Sequence, residues 1–66
     1  MSTNYVDKVY DVVKFESVGM DAIYDDYIIH LVGILGLNLL REHRLVESCG
    51  EINGRTLYTL CKKEES

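Results

Sequence analysis

The sequence contains no proline and no tryptophan, and it has only two cysteines and one phenylalanine among its 66 residues. The absence of proline, together with a 47% share of hydrophobic residues, argues against a disordered chain. The cysteines, Cys49 and Cys61, could form at most one disulfide and match no secreted disulfide framework. They also supply too few ligands for a structural zinc site. We therefore expect a reduced, cytoplasmic protein.

Basic residues are also scarce, with 7 lysines and arginines against 11 acidic residues and a net charge of −4. This balance disfavours a nonspecific grip on nucleic acid, which depends on cations that neutralise phosphates. Residues 1–10 lack the apolar core of a signal peptide. The uncharged segment from Ile28 to Leu40 has 13 residues, whereas a membrane span needs about 20. Neither a signal peptide nor a membrane span is predicted.

The longest apolar run extends from Tyr27 to Val46. Treated as one helix at about 100° per residue, it has a core face and a second apolar row on the other side. The core face comprises Ile28, Ile29, Val32, Leu35, Leu39 and Leu40. The second row comprises Tyr27, Leu31, Ile34 and Leu37. A chain of 66 residues buries only about 60% of its unfolded surface, too little to cover both rows. The second row is therefore the predicted protein interface, covered by a second copy of the chain or by a target protein.

Two further helical features are predicted before this run. An N-terminal helix should begin near Tyr5, after frayed residues 1–4, and bury the helically spaced residues Val6, Val9, Tyr10 and Val13. Asp21 is the predicted N-cap of the central helix, which would open with residues 22–24 and continue toward Arg44. Gly33 and Gly36 could bend this helix, split it into two, or admit another backbone.

A β-hairpin is predicted in the C-terminal third. Asn53-Gly54 suits a type I′ turn, which needs positive φ at both central residues. The flanking strands are residues 46–52 and 55–61, and residues 62–66 form a solvated tail. In the simplest register Cys49 faces Tyr58, whereas a bulge at Gly50 would shift the pairing by one residue.

Together these elements predict one α+β domain over residues 1–66, with an N-terminal and a long central helix packed on a two-stranded hairpin. Residues 37–60 resemble the end of a winged helix-turn-helix domain. The matching residues are Leu37, Leu40, Leu45, Val46, Tyr58 and Leu60. The resemblance implies a winged-helix-like fold and a DNA-binding transcription regulator. Arg44 stands where that family usually has glycine. Residues 28–34 are mostly apolar where the family's recognition helix is polar, and such side chains cannot read the donor and acceptor patterns on base edges.

The candidate sites follow from these patterns. Arg41, Arg44 and Arg55 are the candidate nucleic-acid contacts, although Glu42 and other carboxylates dilute the same region. His30 and His43 would lie about 20 Å apart on one helix and cannot share a metal ion. No metal site or cofactor is expected, and the chain lacks a phosphate-binding loop, a nucleophile elbow and an HExxH motif.

The leading hypothesis is accordingly a non-enzymatic regulatory module that self-associates or binds a partner protein through an apolar helix face. The alternative is a dimeric winged-helix DNA-binding transcription regulator. The two hypotheses differ in the surface that carries function, which is apolar in the first and basic in the second.

Overall fold

The computed structural model describes residues 5–61, which form two helices and a three-stranded antiparallel sheet. In chain order the elements are α1 (Tyr5–Glu16), β1 (Ile23–Tyr24), α2 (Asp25–Glu42), β2 (Val46–Ile52) and β3 (Arg55–Leu60). The predicted α+β class is confirmed. The predicted frayed ends, residues 1–4 and 62–66, lie outside the described residues.

Helix α1 buries the face that its sequence predicts. Its buried residues are Val6, Val9, Tyr10 and Val13. The Tyr10 hydroxyl donates a hydrogen bond to the backbone carbonyl of Cys61 at 2.9 Å, which ties the helix to the end of the sheet. At the other end of α1, the buried Ser17 hydroxyl donates to the carbonyl of Val13 at 2.7 Å. The chain then leaves the helix through a turn that contains Gly19 in a left-handed conformation, with φ of 87°.

Strand β1 corrects the predicted start of the central helix. Ile23 and Tyr24 do not open a helix behind an Asp21 cap. They pair instead with Tyr58 and Leu57 of β3. The helix begins at Asp25, and Tyr24 at its N-cap makes no side-chain capping bond. The predicted two-stranded hairpin is thus part of a three-stranded sheet with the order β1-β3-β2, because backbone pairing outweighs a local capping preference.

Helix α2 is divided at Gly33, whose φ of 81° and ψ of 170° are not helical. Of the three effects predicted for the glycines, the structure shows a split. Gly33 divides the helix into residues 25–32 and 34–42. This backbone region is accessible almost only to glycine. The interruption shifts the helical phase, so the second half does not present the faces of one continuous helix. Leu35, predicted in the core, is exposed, and Leu37, predicted at an interface, is buried.

The end of α2 forms a Schellman motif, a hydrogen-bonded helix cap. The Leu45 amide donates to the Leu40 carbonyl at 2.8 Å, and the Arg44 amide donates to the Arg41 carbonyl at 3.1 Å. Leu40 and Leu45 are both buried and belong to the same core cluster, as the motif favours. Arg44 occupies the left-handed position with φ of 59°. The left-handed backbone at Arg44 therefore favours glycine, the residue that the winged-helix family usually has at this position.

The hairpin agrees with the sequence, including its bulged alternative. Asn53 and Gly54 have φ of 54° and 80°, as a type I′ turn requires. Gly50 faces Leu57, but Ser48 rather than Cys49 faces Tyr58, because the register shifts between Ser48 and Gly50. Every residue from 47 to 55 is exposed. The outer half of the hairpin therefore projects from the core instead of covering it.

Candidate protein-interaction surface

The four residues of the predicted interface row occupy different environments. Ile34 is 62% exposed, and Tyr27 and Leu31 are partly buried against the core. Leu37 is only 6% exposed and belongs to the core cluster, so it offers no surface to a partner. The Tyr27 hydroxyl donates to the Glu16 carbonyl at 3.0 Å, which gives this tyrosine a role in holding α1 against α2.

A different apolar surface lies along the seam between α1 and α2. We define the α1–α2 face by six of the apolar residues that line its two grooves, namely Tyr5, Val12, Leu31, Val32, Leu35 and Leu39. Tyr5 lines both grooves and therefore joins them. Tyr5 is 60% exposed and Leu35 is 76% exposed, and Val12 is also exposed. Exposed apolar side chains grouped in this way indicate an interaction site more often than scattered ones do.

The contact between α1 and α2 includes a glycine that has no room for a side chain. Gly36 is buried at the contact between the helices. A Cβ atom at Gly36 would lie 2.6 Å from a methyl group of Val32 and 3.4 Å from one of Val9. The missing side chain avoids a clash with Val32 of the same helix, and it leaves Val9 of α1 within van der Waals distance of this position.

Two unpaired charges lie on this face. Lys8 lines the groove that contains Val12, and Glu42 lines the groove that contains Leu35. Both side chains are exposed, and neither forms a salt bridge within residues 5–61. The face therefore has an apolar centre, with a cation on one side of Tyr5 and an anion on the other.

The predicted basic contacts are not equivalent. Arg55 donates a hydrogen bond to the Asp26 carboxylate at 2.9 Å, and its guanidinium lies 3.8 Å from the centroid of the Tyr24 ring. That hydrogen bond, with the charge of Arg55, holds the pKa of Asp26 below its ordinary value. The same hydrogen bond and the charge of Asp26 raise the pKa of Arg55. Arg55 is thus held between α2 and the sheet.

Arg41 and Arg44 are exposed and free of such partners among the described residues. Arg41 lines a shallow groove with Asn38 and Glu42, so a carboxylate accompanies its charge. Arg44 lies just beyond the end of α2, at the cap. The three arginines differ in availability, and only Arg41 and Arg44 remain open to an external anion.

Sequence reasoning missed several of these residues for identifiable reasons. Tyr5 and Val12 lie two helical turns apart beside the core face of α1, and that spacing could have indicated a shared surface stripe. Leu35 could not have been found, because its exposure depends on the backbone break at Gly33. The contact of Tyr24 with Arg55 depends on β1, which is too short for any periodicity.

Two other kinds of feature are absent from residues 5–61. Nowhere in that range do three or more histidine, cysteine, aspartate or glutamate side chains come together in a way that could hold a metal ion. Within the same range, neither helix combines the length and the apolar character needed to cross a bilayer.

The chain was also compared with known proteins. No family model matches it, and neither does any curated protein or solved structure.

Proposed function

We propose that this chain is a small non-enzymatic regulatory module that acts by protein–protein contact through the α1–α2 face. The observation that carries the proposal is that Tyr5 and Leu35, both strongly exposed, line one groove between the two helices. The interface predicted from sequence is thereby revised. Leu31 and Ile34 stay on or beside the surface, whereas Leu37 is assigned to the core.

The exposed apolar side chains of the face could form the centre of an interface. A stable interface buries roughly 800 Å² on each partner, about a sixth of this chain's accessible surface of 4911 Å². Burying one large apolar side chain is worth about 1.5–3 kcal/mol. Tyr5, Val12 and Leu35 together would supply several such contributions, comparable to the lower estimates of about 4 kcal/mol for the entropy lost on association. Contacts at the rim would provide the remainder.

Site-specific photo-crosslinking in the cells that produce the protein tests this proposal. A photoreactive amino acid placed at Leu35 should form covalent adducts with protein. The matched control places the same group at Ser48, an exposed residue of β2 on the projecting hairpin. Adducts at position 35 but not at 48 are expected. Equal labelling at both positions, or none at 35, would refute the assignment of the face.

A second function is supported by the topology. The element order helix, strand, interrupted helix, hairpin, with β1 beside β3, supports the resemblance to a winged helix-turn-helix domain. In that reading, residues 34–42 would face the nucleic acid, with Asn38 and Arg41 as the polar contacts. We rank DNA binding second because the exposed start of this segment is Ile34 and Leu35, and because Arg55 is already paired with Asp26.

Fluorescence anisotropy with a labelled random duplex separates the two functions. If the protein acts by protein–protein contact, no binding to the duplex is expected at about 10 μM protein, even at low salt. Binding that weakens steeply with salt would favour the second function. In that case Arg41→Ala should reduce the affinity, whereas Lys14→Ala, which removes the same charge from α1, should not.

We further propose a cytoplasmic setting. Its support is that Cys49 and Cys61 are both free thiols in the fold, with Cys49 at the bulge of β2 and Cys61 beyond the end of β3.

A further inference from the structure

We infer that the occupant of the α1–α2 face is a second copy of this chain, related to the first by a two-fold axis that passes near Tyr5. This inference rests on the proposed function and names its partner. In such a dimer, Lys8 of each copy lies opposite Glu42 of the other.

The arrangement of the face carries the inference. Tyr5 lines both grooves, with Lys8 in one and Glu42 in the other. A two-fold axis at the shared residue exchanges the two grooves, so each groove meets the opposite groove of the partner. The apolar centre then meets an apolar centre, and each cation meets an anion. A foreign partner would need its own matching pattern, whereas a second copy has it by construction.

The exposure of Leu35 and the charges of Lys8 and Glu42 also favour a second copy of the chain as the occupant. Lys8 and Glu42 have no salt-bridge partner within residues 5–61, so pairing across the axis breaks no existing ion pair. Leu35, 76% exposed in the single chain, would be covered together with Tyr5. Because the interface is symmetric, each cross-pair occurs twice. A single substitution therefore changes two contacts, which enlarges an effect that is small for one exposed ion pair.

The test uses charge reversal. Lys8→Glu places two pairs of like charges across the axis, and so does Glu42→Lys. Each variant should dimerise about tenfold more weakly than the wild type, as measured by analytical ultracentrifugation. The double variant, Lys8→Glu with Glu42→Lys, restores both attractive pairs and should recover the wild-type dissociation constant. Far-ultraviolet circular dichroism of each variant checks that the fold is retained.

Mixing the two single variants gives a sharper result. In a mixed dimer, one contact pairs the introduced glutamate with the introduced lysine, and the other pairs the native Glu42 with the native Lys8. Native mass spectrometry of an equimolar mixture should show mostly mixed dimers. The matched control mixes Lys14→Glu with Glu42→Lys. A mixed dimer there has one attractive and one repulsive pair, so no enrichment of mixed dimers above the statistical proportion is expected.

The outcomes separate the dimer from the broader function. A wild-type chain that stays monomeric at about 1 mM, the weak end of measurable affinities, overturns the dimer. A dimer that is indifferent to both charge reversals also overturns it. If the chain is monomeric while the crosslink at position 35 captures a different protein, the proposed function survives without the dimer. If no adduct forms there at all, both fail.

Discussion

Replacing Arg44 with glycine should relieve an unfavourable backbone conformation. Arg44 has a φ of 59° at the C-terminal cap of α2, a left-handed conformation that costs an ordinary residue about 1–2 kcal/mol. Glycine lacks that penalty but loses more conformational entropy on folding, by about 0.5–1 kcal/mol. The difference favours Arg44→Gly by roughly 0.5–1 kcal/mol. The two cap hydrogen bonds, from Arg44 to Arg41 and from Leu45 to Leu40, do not involve the side chain and should persist.

The charge of the Arg44 side chain also affects stability. A cation near a helix C-terminus is favourable by about 0.3–1 kcal/mol, so its removal offsets part of the gain. Arg44→Ala removes the same charge and keeps the Cβ atom. The difference between the glycine and alanine variants therefore isolates the backbone conformation, and we expect Arg44→Gly to be the more stable by about 1 kcal/mol.

Urea unfolding followed by circular dichroism measures this difference. The midpoint should be higher in Arg44→Gly than in Arg44→Ala, with an unchanged slope. In thermal unfolding, 1 kcal/mol corresponds to about 4–8 °C for a domain of this size. All variants must be compared at one protein concentration, because dimerisation would make stability depend on it. An alanine variant as stable as the glycine variant would contradict the left-handed cap, and with it the Schellman motif.

Other substitutions test other parts of the structure. Gly33→Ala should destabilise the fold by about 1–3 kcal/mol, measured by the same unfolding assay, because φ of 81° with ψ of 170° is accessible almost only to glycine. A neutral result would mean that α2 is not divided there. Tyr10→Phe should lower the free energy of unfolding by about 1 kcal/mol, because the hydrogen bond to the Cys61 carbonyl is lost. An unchanged unfolding midpoint would argue against this link between α1 and the end of β3. Because the hydrogen bond from Arg55 lowers the pKa of Asp26, the pair stabilises the fold above the carboxyl's unfolded pKa of about 3.9, and this contribution is lost as the pH falls through the lower folded value. Acid titrations should therefore show a smaller loss of stability in Asp26→Asn than in the wild type, and superimposable curves would argue against the pair.

The contrast between the hairpin and the central helix shows what local sequence can predict. Asn53 and Gly54 determine their turn through their own backbone preferences, and the helical spacing of α1 identifies its buried face because that helix is regular. Helix α2 differs, since one glycine interrupts it. Counting residues along a continuous helix then places Leu35 inside and Leu37 outside, whereas the structure has the reverse.

Strand β1 was beyond local prediction for another reason. Its two residues are too few for a period-two pattern, and Asp21 before them resembles a helix cap. Only the pairing of Ile23 with Tyr58, 35 positions later, identifies it as a strand. The candidate interaction face was also difficult to predict from the sequence. Tyr5 and Val12 were missed although their spacing could have indicated them. Leu35 depends on the torsion angles of Gly33, whose effect on the helix the sequence pattern left as one of several alternatives.

The position of β2 at the outside of the sheet has a consequence for handling the protein. In the order β1-β3-β2, this strand has a neighbour on one side only within residues 5–61, and its remaining backbone groups could template the addition of another molecule's strand. The bulge between Ser48 and Gly50 and the carboxylates of Glu47 and Glu51 oppose such growth. Substitutions that remove the bulge or replace both carboxylates should therefore promote association through the free edge of β2.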